Sequence, residues 1–227
     1  MCKYYERHEK NNIDISDFFN RKDYELFKGL STLNIDITKN HNQTSYFANV
    51  GSNFENFSKS RSSVRSFTGE MVSLETINKV IELAKNAPSV CNRQPTKVYY
   101  VESKEKVDKV LSIQGGLTGY SSEINQLLVV VSDRNYFYSV GEKNQLYVDG
   151  GIFLMNLLYA LHFYKIGACP AHWGHNYEKD IEIQKEIDLS DSEKVICVVP
   201  IGIPKKEFKT TLSLRRSNDE ILRIVKY

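Results

Sequence analysis

Three observations predict a domain of mixed helices and strands, α/β or α+β. Between residues 74 and 84, apolar residues recur at three- and four-residue steps, the period of a helix with one buried stripe. Short β-branched runs at 98–101, 127–131 and 195–201 read as buried strands. Residues 144–165 are apolar nearly all round, so the helix they form must be enclosed by its own domain or by a second subunit.

In chain order, residues 1–60 stand apart from the rest. They lack a long apolar period and balance eight basic against eight acidic residues, yet they carry ten aromatics, too many for a disordered tail. The expectation is an N-terminal arm or helical extension over 1–60, with short helices across 14–29, followed by a main domain over 61–227. Ser73 is placed to cap the next helix, with Glu75 in its first turn, where the helix dipole favours an anion. Leu74, Ile77, Val80, Ile81 and Ala84 form its stripe, and Pro88 closes it. Within the long helix, Gly150-Gly151 costs about 1 kcal/mol per residue relative to alanine, which predicts close backbone contact there.

Composition narrows the function classes. Lys+Arg 30 against Asp+Glu 28 leaves a net charge of +2, which predicts neither a nucleic-acid nor a membrane partner. The apolar run 146–161 is interrupted by Asp149 and Asn156 and is shorter than the roughly 20 residues needed to span a bilayer. The opening MCKYYERHEKNN has no apolar core of the signal-peptide kind, so a cytoplasmic location is expected. Cys2, Cys91, Cys169 and Cys197 lie far apart with no CxxC, against a disulfide scaffold and a zinc knuckle.

Four clusters carry candidate chemistry. Arg61-Ser62-Ser63-Val64-Arg65 brings two forked cationic donors and short hydroxyls together, a set that can surround one phosphate. Ala87 to Pro95 is a shaped loop between two prolines whose amides and hydroxyls can read the edge of a flat heterocycle. Gly167 to His175 follows the enclosed helix with small residues before an indole, suited to close passage over a planar ligand. His172 and His175 stand three apart without an HExxH pattern or a nearby carboxylate, so no metal is assigned. Nothing adjacent would activate Cys91 or Cys169, and packing is the expected role of both. Arg215 and Arg216 form the fourth cluster, of interest if the fold returns them to the first. Gln114-Gly115-Gly116-Leu117-Thr118-Gly119 fails the GxGxxG spacing of a dinucleotide fold.

Taken in order, RSSVRSF, LETINKVIELAKNAPSVCNRQP and VDGGIFLMNLLYALHFYKIGACPAHWG resemble the nitroreductase family of FMN-dependent oxidoreductases. The resemblance implies an α+β, three-layer α/β/α fold with a central, mostly antiparallel sheet, and a homodimer with FMN at the interface. It assigns Arg61, Ser63 and Arg65 to the flavin phosphate and polar edge, with Ser62 inside the same motif. It assigns Pro88, Ser89, Val90 and Asn92 to a loop that reaches the flavin, often from the partner subunit. Cys169, Pro170 and Ala171, with His172 beside them, match the loop whose backbone N–H approaches flavin N5. Arg215, or alternatively Arg216, matches the late basic residue on the phosphate. The implied activity is electron transfer from NADH or NADPH through FMN to a small electrophilic acceptor such as a nitroaromatic, quinone or free flavin, with no catalytic side chain assigned. Two other readings are a flavin-dependent dehydrogenase of a biosynthetic intermediate and a flavin-binding accessory protein without turnover. Thr96 departs from the pattern, standing where many relatives place an aromatic.

Overall fold

The computed structural model describes residues 1–30, 38–117 and 119–226. Residues 31–37 of the expected arm and Thr118 of the glycine-rich run lie outside them. Two compact units divide the chain, Met1–Lys39 with Thr211–Tyr227, and Asn40–Thr210.

In the first unit, the short helices expected across 14–29 are placed differently: α1 (Cys2–Lys10) lies ahead of that range and α2 (Arg21–Leu30) covers only its second half. The side chains between them give the reason. Asn12 takes a left-handed φ of 55°, and Asp14 accepts from the Ser16 N–H, so the chain turns there instead of winding. Asn20 and Asp23 then accept from each other's backbone N–H, which starts α2. Ile15, Phe19 and Tyr24 form a small core with Tyr5 packed against it.

The larger unit begins within β1 (Thr38–Asn42), which is followed by the short helices α3 (Gln43–Tyr46) and α4 (Phe54–Ser60). Residues 40–60, which composition groups with the arm, therefore belong with the body, and Tyr46 and Phe47 are buried in its core. Next come α5 (Leu74–Ala84), β2 (Thr96–Val101), α6 (Lys104–Gln114), β3 (Gln126–Asp133) and α7 (Gln145–Phe163). The unit ends with β4 (Gly167–Ala168), β5 (Ala171–His172), α8 (Tyr177–Ile187), β6 (Glu193–Gly202) and β7 (Glu207–Thr211), and a last helical turn, α9 (Asn218–Ile221), lies in the terminal unit. The Ser73 hydroxyl caps α5 by accepting from the Thr76 N–H. The helix stops at Ala84, ahead of Pro88.

The main sheet runs β2-β3-β6-β4, with β5 also on β6, and every pairing in it is antiparallel. All eight residues of β3 are buried. Because strand side chains alternate, Leu127, Val129 and Val131 join a core with α6 and α8, while Leu128 and Val130 join another with α5 and α7. Helices therefore cover both faces, which is the three-layer α+β architecture. The register shifts between Val130 and Val131, where β6 carries one extra residue, Ile196.

Helix α7 is long and apolar enough, by length and composition alone, to cross a membrane, contrary to the expectation from residues 146–161. Here Leu157, Leu158 and Leu161 pack on the sheet, as those of a core helix do. Only half of the predicted glycine contact is present. A Cβ on Gly150 would lie 2.7 Å from Ile196 Cγ1, whereas one on Gly151 would meet nothing within 4 Å.

Candidate functional site

The arginine-serine cluster follows α4 as an extended, half-buried stretch in which only Val64 is fully buried. Val64 is the hinge of the site. Its N–H donates to the Ala168 carbonyl at 2.9 Å, which fastens the first cluster to the loop after α7. Arg65 and Arg61 both lie close enough to Cys169 to favour its thiolate, although burial outweighs them and pushes the thiol up. The 61–65 stretch and the 169–172 loop are thus brought together. Arg61 makes no salt bridge among the described residues, leaving its charge available to an anion.

The 169–172 loop is held by its backbone. The Cys169 N–H donates to the Pro200 carbonyl at 3.1 Å, and Ala171 and His172 pair with Val198 and Cys197 on β6. Gln114 Nε2 donates to the His172 carbonyl at 3.2 Å, and His175 Nε2 lies 2.9 Å from the Gln114 carbonyl. With the Cys169 N–H engaged, none on Pro170 and the ladder to β6 taking one of the Ala171 and His172 amides, at most one backbone N–H of this loop remains for a ligand. The Trp173 indole donates to Asp180 and packs against the core. Among the described residues, no group of three or more His, Cys, Asp or Glu side chains is placed to hold a metal ion.

The 88–92 loop is anchored separately. The Val90 N–H donates to Asp149 Oδ2 of α7 at 3.1 Å, and the Gln94 N–H to the Ser89 hydroxyl at 2.9 Å. Cys91, Asn92 and Gln94 have φ of 48°, 55° and 53°, so the loop is held in a conformation non-glycine residues seldom adopt. Arg93 ties it to Glu142 at 2.7 Å. Pro88, Ser89, Thr96 and Asp149 line a cleft of about 70 Å³, too small to enclose a three-ring ligand. The bonds that join the first and third clusters do not extend to this loop. Arg215 and Arg216 belong to the other unit and are exposed there, with Arg215 donating to the Ser213 carbonyl.

Cys169 and Cys197 are buried, and burial raises the Cys197 thiol to about 12, so neither is a ready nucleophile. Cys91 is exposed, however, and does not pack as expected. Two supporting residues carry no sign of their role in the sequence. Asp149 reads only as a break in an apolar run, whereas in the fold it is buried and accepts the Val90 N–H. Tyr46 reads as one aromatic among ten, yet its hydroxyl bonds the backbone of Ser62.

The nitroreductase family model matches residues 58–203, more than half of the chain. Over 54 residues the chain is 39% identical to the FMN reductase (NAD(P)H) of Bacillus subtilis strain 168, a match covering 24% of this chain and 22% of that protein. The chain thus spans about a fifth of that relative's length. Among solved structures, the hypothetical oxidoreductase YcnD from Bacillus subtilis is 22% identical with a TM-score of 0.63, over 74% of this chain and 71% of its own. An FMN-dependent nitroreductase from Clostridium difficile R20291 is 20% identical with a TM-score of 0.58, over 73% and 92% respectively. Both likenesses establish the fold.

Proposed function

The chain belongs to the nitroreductase family, and from that premise we propose that it is a cytoplasmic FMN-dependent oxidoreductase using NADH or NADPH to reduce a small electrophilic acceptor, a nitroaromatic, quinone or free flavin. The observation that carries this reading is the Val64–Ala168 hydrogen bond, which sets an arginine-serine cluster beside a backbone-presenting loop.

The donor set fits FMN. A phosphomonoester carries close to two negative charges at neutral pH. Arg61 and Arg65 match that charge with guanidiniums, and Ser62 and Ser63 add short neutral donors. Whichever of the Ala171 and His172 amides is not spent on β6 is an N–H donor of the kind that stabilises negative charge on a ring nitrogen. When bound, FMN would supply two-electron chemistry, taking a hydride from the nicotinamide at N5 and passing reducing equivalents to the acceptor. The protein's share is to bind, orient and electrostatically tune, so no acid or base side chain is required.

The 88–92 loop and the small cleft beside it fit a site completed by a second subunit. Helix α7 supports the same reading: Tyr147, Val148, Ile152 and Met155 are exposed at 54%, 51%, 40% and 38% in the single chain, although all four are large and hydrophobic. The open space around Gly151 lies on the same side as Val148 and Ile152 and would let another backbone approach. We assign this face to a homodimer interface with Pro88, Ser89, Val90 and Asn92 reaching the partner's flavin.

The purified protein is expected to show flavin absorbance that bleaches on anaerobic addition of NADH or NADPH. A colourless protein that also fails to bind added FMN would sink the flavin reading. Bound FMN that neither nicotinamide bleaches would favour the dehydrogenase or the accessory protein.

A further inference from the structure

Tyr46 lies outside the residues matched by the family, which begin at 58. Its phenol nevertheless reaches into the middle of the arginine-serine motif. The hydroxyl accepts from the Ser62 N–H at 2.9 Å and donates to the Ser62 carbonyl at 2.8 Å, so one side chain satisfies both backbone groups of one residue. The ring is 4% exposed and is boxed edge-on by His41, Phe47, His162 and Phe208, with centroids 4.8–5.2 Å away. The next residue but one is pinned from the same box. His162 Nε2 lies 2.8 Å from the Ser60 hydroxyl, which itself donates to the Phe57 carbonyl at 2.7 Å. A hydroxyl has one proton, so His162 is the donor in that pair. Ser60 and Ser62, the two neighbours of Arg61, are therefore both fixed.

We propose that Tyr46 is a positioning residue for phosphate recognition: it clamps the Ser62 backbone and so sets the spacing of Arg61 and Ser63 for a flavin phosphate before the cofactor arrives. The proposal rests on the FMN reading above. It follows that the Ser62 amide is not itself a phosphate donor, because Tyr46 occupies it. Preorganised donors bind an anion more tightly than donors that must be ordered on binding. A segment outside the shared family region would thereby determine how strongly the protein prefers FMN to a flavin lacking phosphate.

The test is Tyr46→Phe, which keeps the ring and removes both hydrogen bonds. Dissociation constants for FMN and for riboflavin are measured on full-length protein stripped of flavin. FMN binding is expected to weaken about tenfold while riboflavin binding changes less than twofold, in line with loss of about 1.4 kcal/mol from the phosphate contacts alone. FMN affinity unchanged, or both flavins weakened equally, would overturn the proposal and leave Tyr46 a packing residue. Amide exchange on the unaltered protein gives an answer even if the variant does not fold. The Ser62 N–H is expected to be protected without flavin, and rapid exchange there would overturn the clamp. A wild-type protein that binds neither flavin would defeat the FMN reading and this proposal together, whereas wild-type FMN binding with an unaffected Tyr46→Phe defeats this proposal alone.

Discussion

His162 is buried on α7 at 2% exposure, among Tyr46, Phe47 and Phe57. Burial, reinforced by the nearby Arg61 guanidinium, lowers its pKa from 6.5 to about 4, so the folded protein holds a neutral imidazole. In the unfolded chain the same ring takes a proton near pH 6.5. Its contribution to stability is therefore complete above pH 6.5 and is lost as pH falls toward 4, by up to about 3 kcal/mol. Urea unfolding at pH 7 and pH 4 should show this loss in the wild type and a smaller one in His162→Gln, which keeps a donor for Ser60 but cannot titrate there. Equal losses in the two proteins would mean that the imidazole is not buried in its neutral form. The sequence hides this residue for a physical reason. Its partners Tyr46 and Ser60 are more than a hundred positions away, and no local period marks such a contact.

At the scale of elements, α7 shows where local reading succeeds and where it stops. Its length and apolar character were legible because both are properties of consecutive residues. The polar breaks were legible only as breaks. Asn156 Nδ2 donates to the Leu83 and Ala84 carbonyls at the end of α5, and Asp149 takes the Val90 amide, so each satisfies a backbone group of a distant segment. The paired glycines announced close contact without saying which residue made it. Gly150 faces Ile196, the extra residue of the β6 bulge, and both Cγ atoms of that side chain would lie within 3.3 Å of a new Cβ. Rotation cannot clear two branches at once. Gly150→Ala is thus expected to destabilise by about 1–3 kcal/mol, even though alanine favours the helix by about 1 kcal/mol. Ile196→Ala should offset part of that loss in the double variant, seen as a less-than-additive change in the urea midpoint. A Gly150→Ala protein as stable as the wild type would show that α7 can move off the sheet without penalty.

At the scale of the whole molecule, the single chain leaves its proposed site unfinished. The cluster at 61–65 and the loop at 169–172 are joined, but the strained 88–92 loop is braced from α7 and opens on a cleft that holds no flavin-sized ligand. The exposed stripe of Val148, Ile152 and Met155 belongs to the same helix that braces the loop, so one surface would serve both association and the site. Ile152→Glu separates these roles from folding. The residue is 40% exposed in the single chain, and a surface substitution of this kind normally shifts monomer stability by no more than about 0.5 kcal/mol. Within a closed interface the same carboxylate would lose its water without gaining a partner, at a cost of several kcal/mol. Light scattering should therefore find a wild-type dimer and an Ile152→Glu monomer of unchanged circular dichroism, and the monomer should bind FMN much more weakly, because the partner's loop is missing. A wild-type monomer carrying FMN would overturn the shared site, and an Ile152→Glu protein that remains dimeric would move the interface to another face.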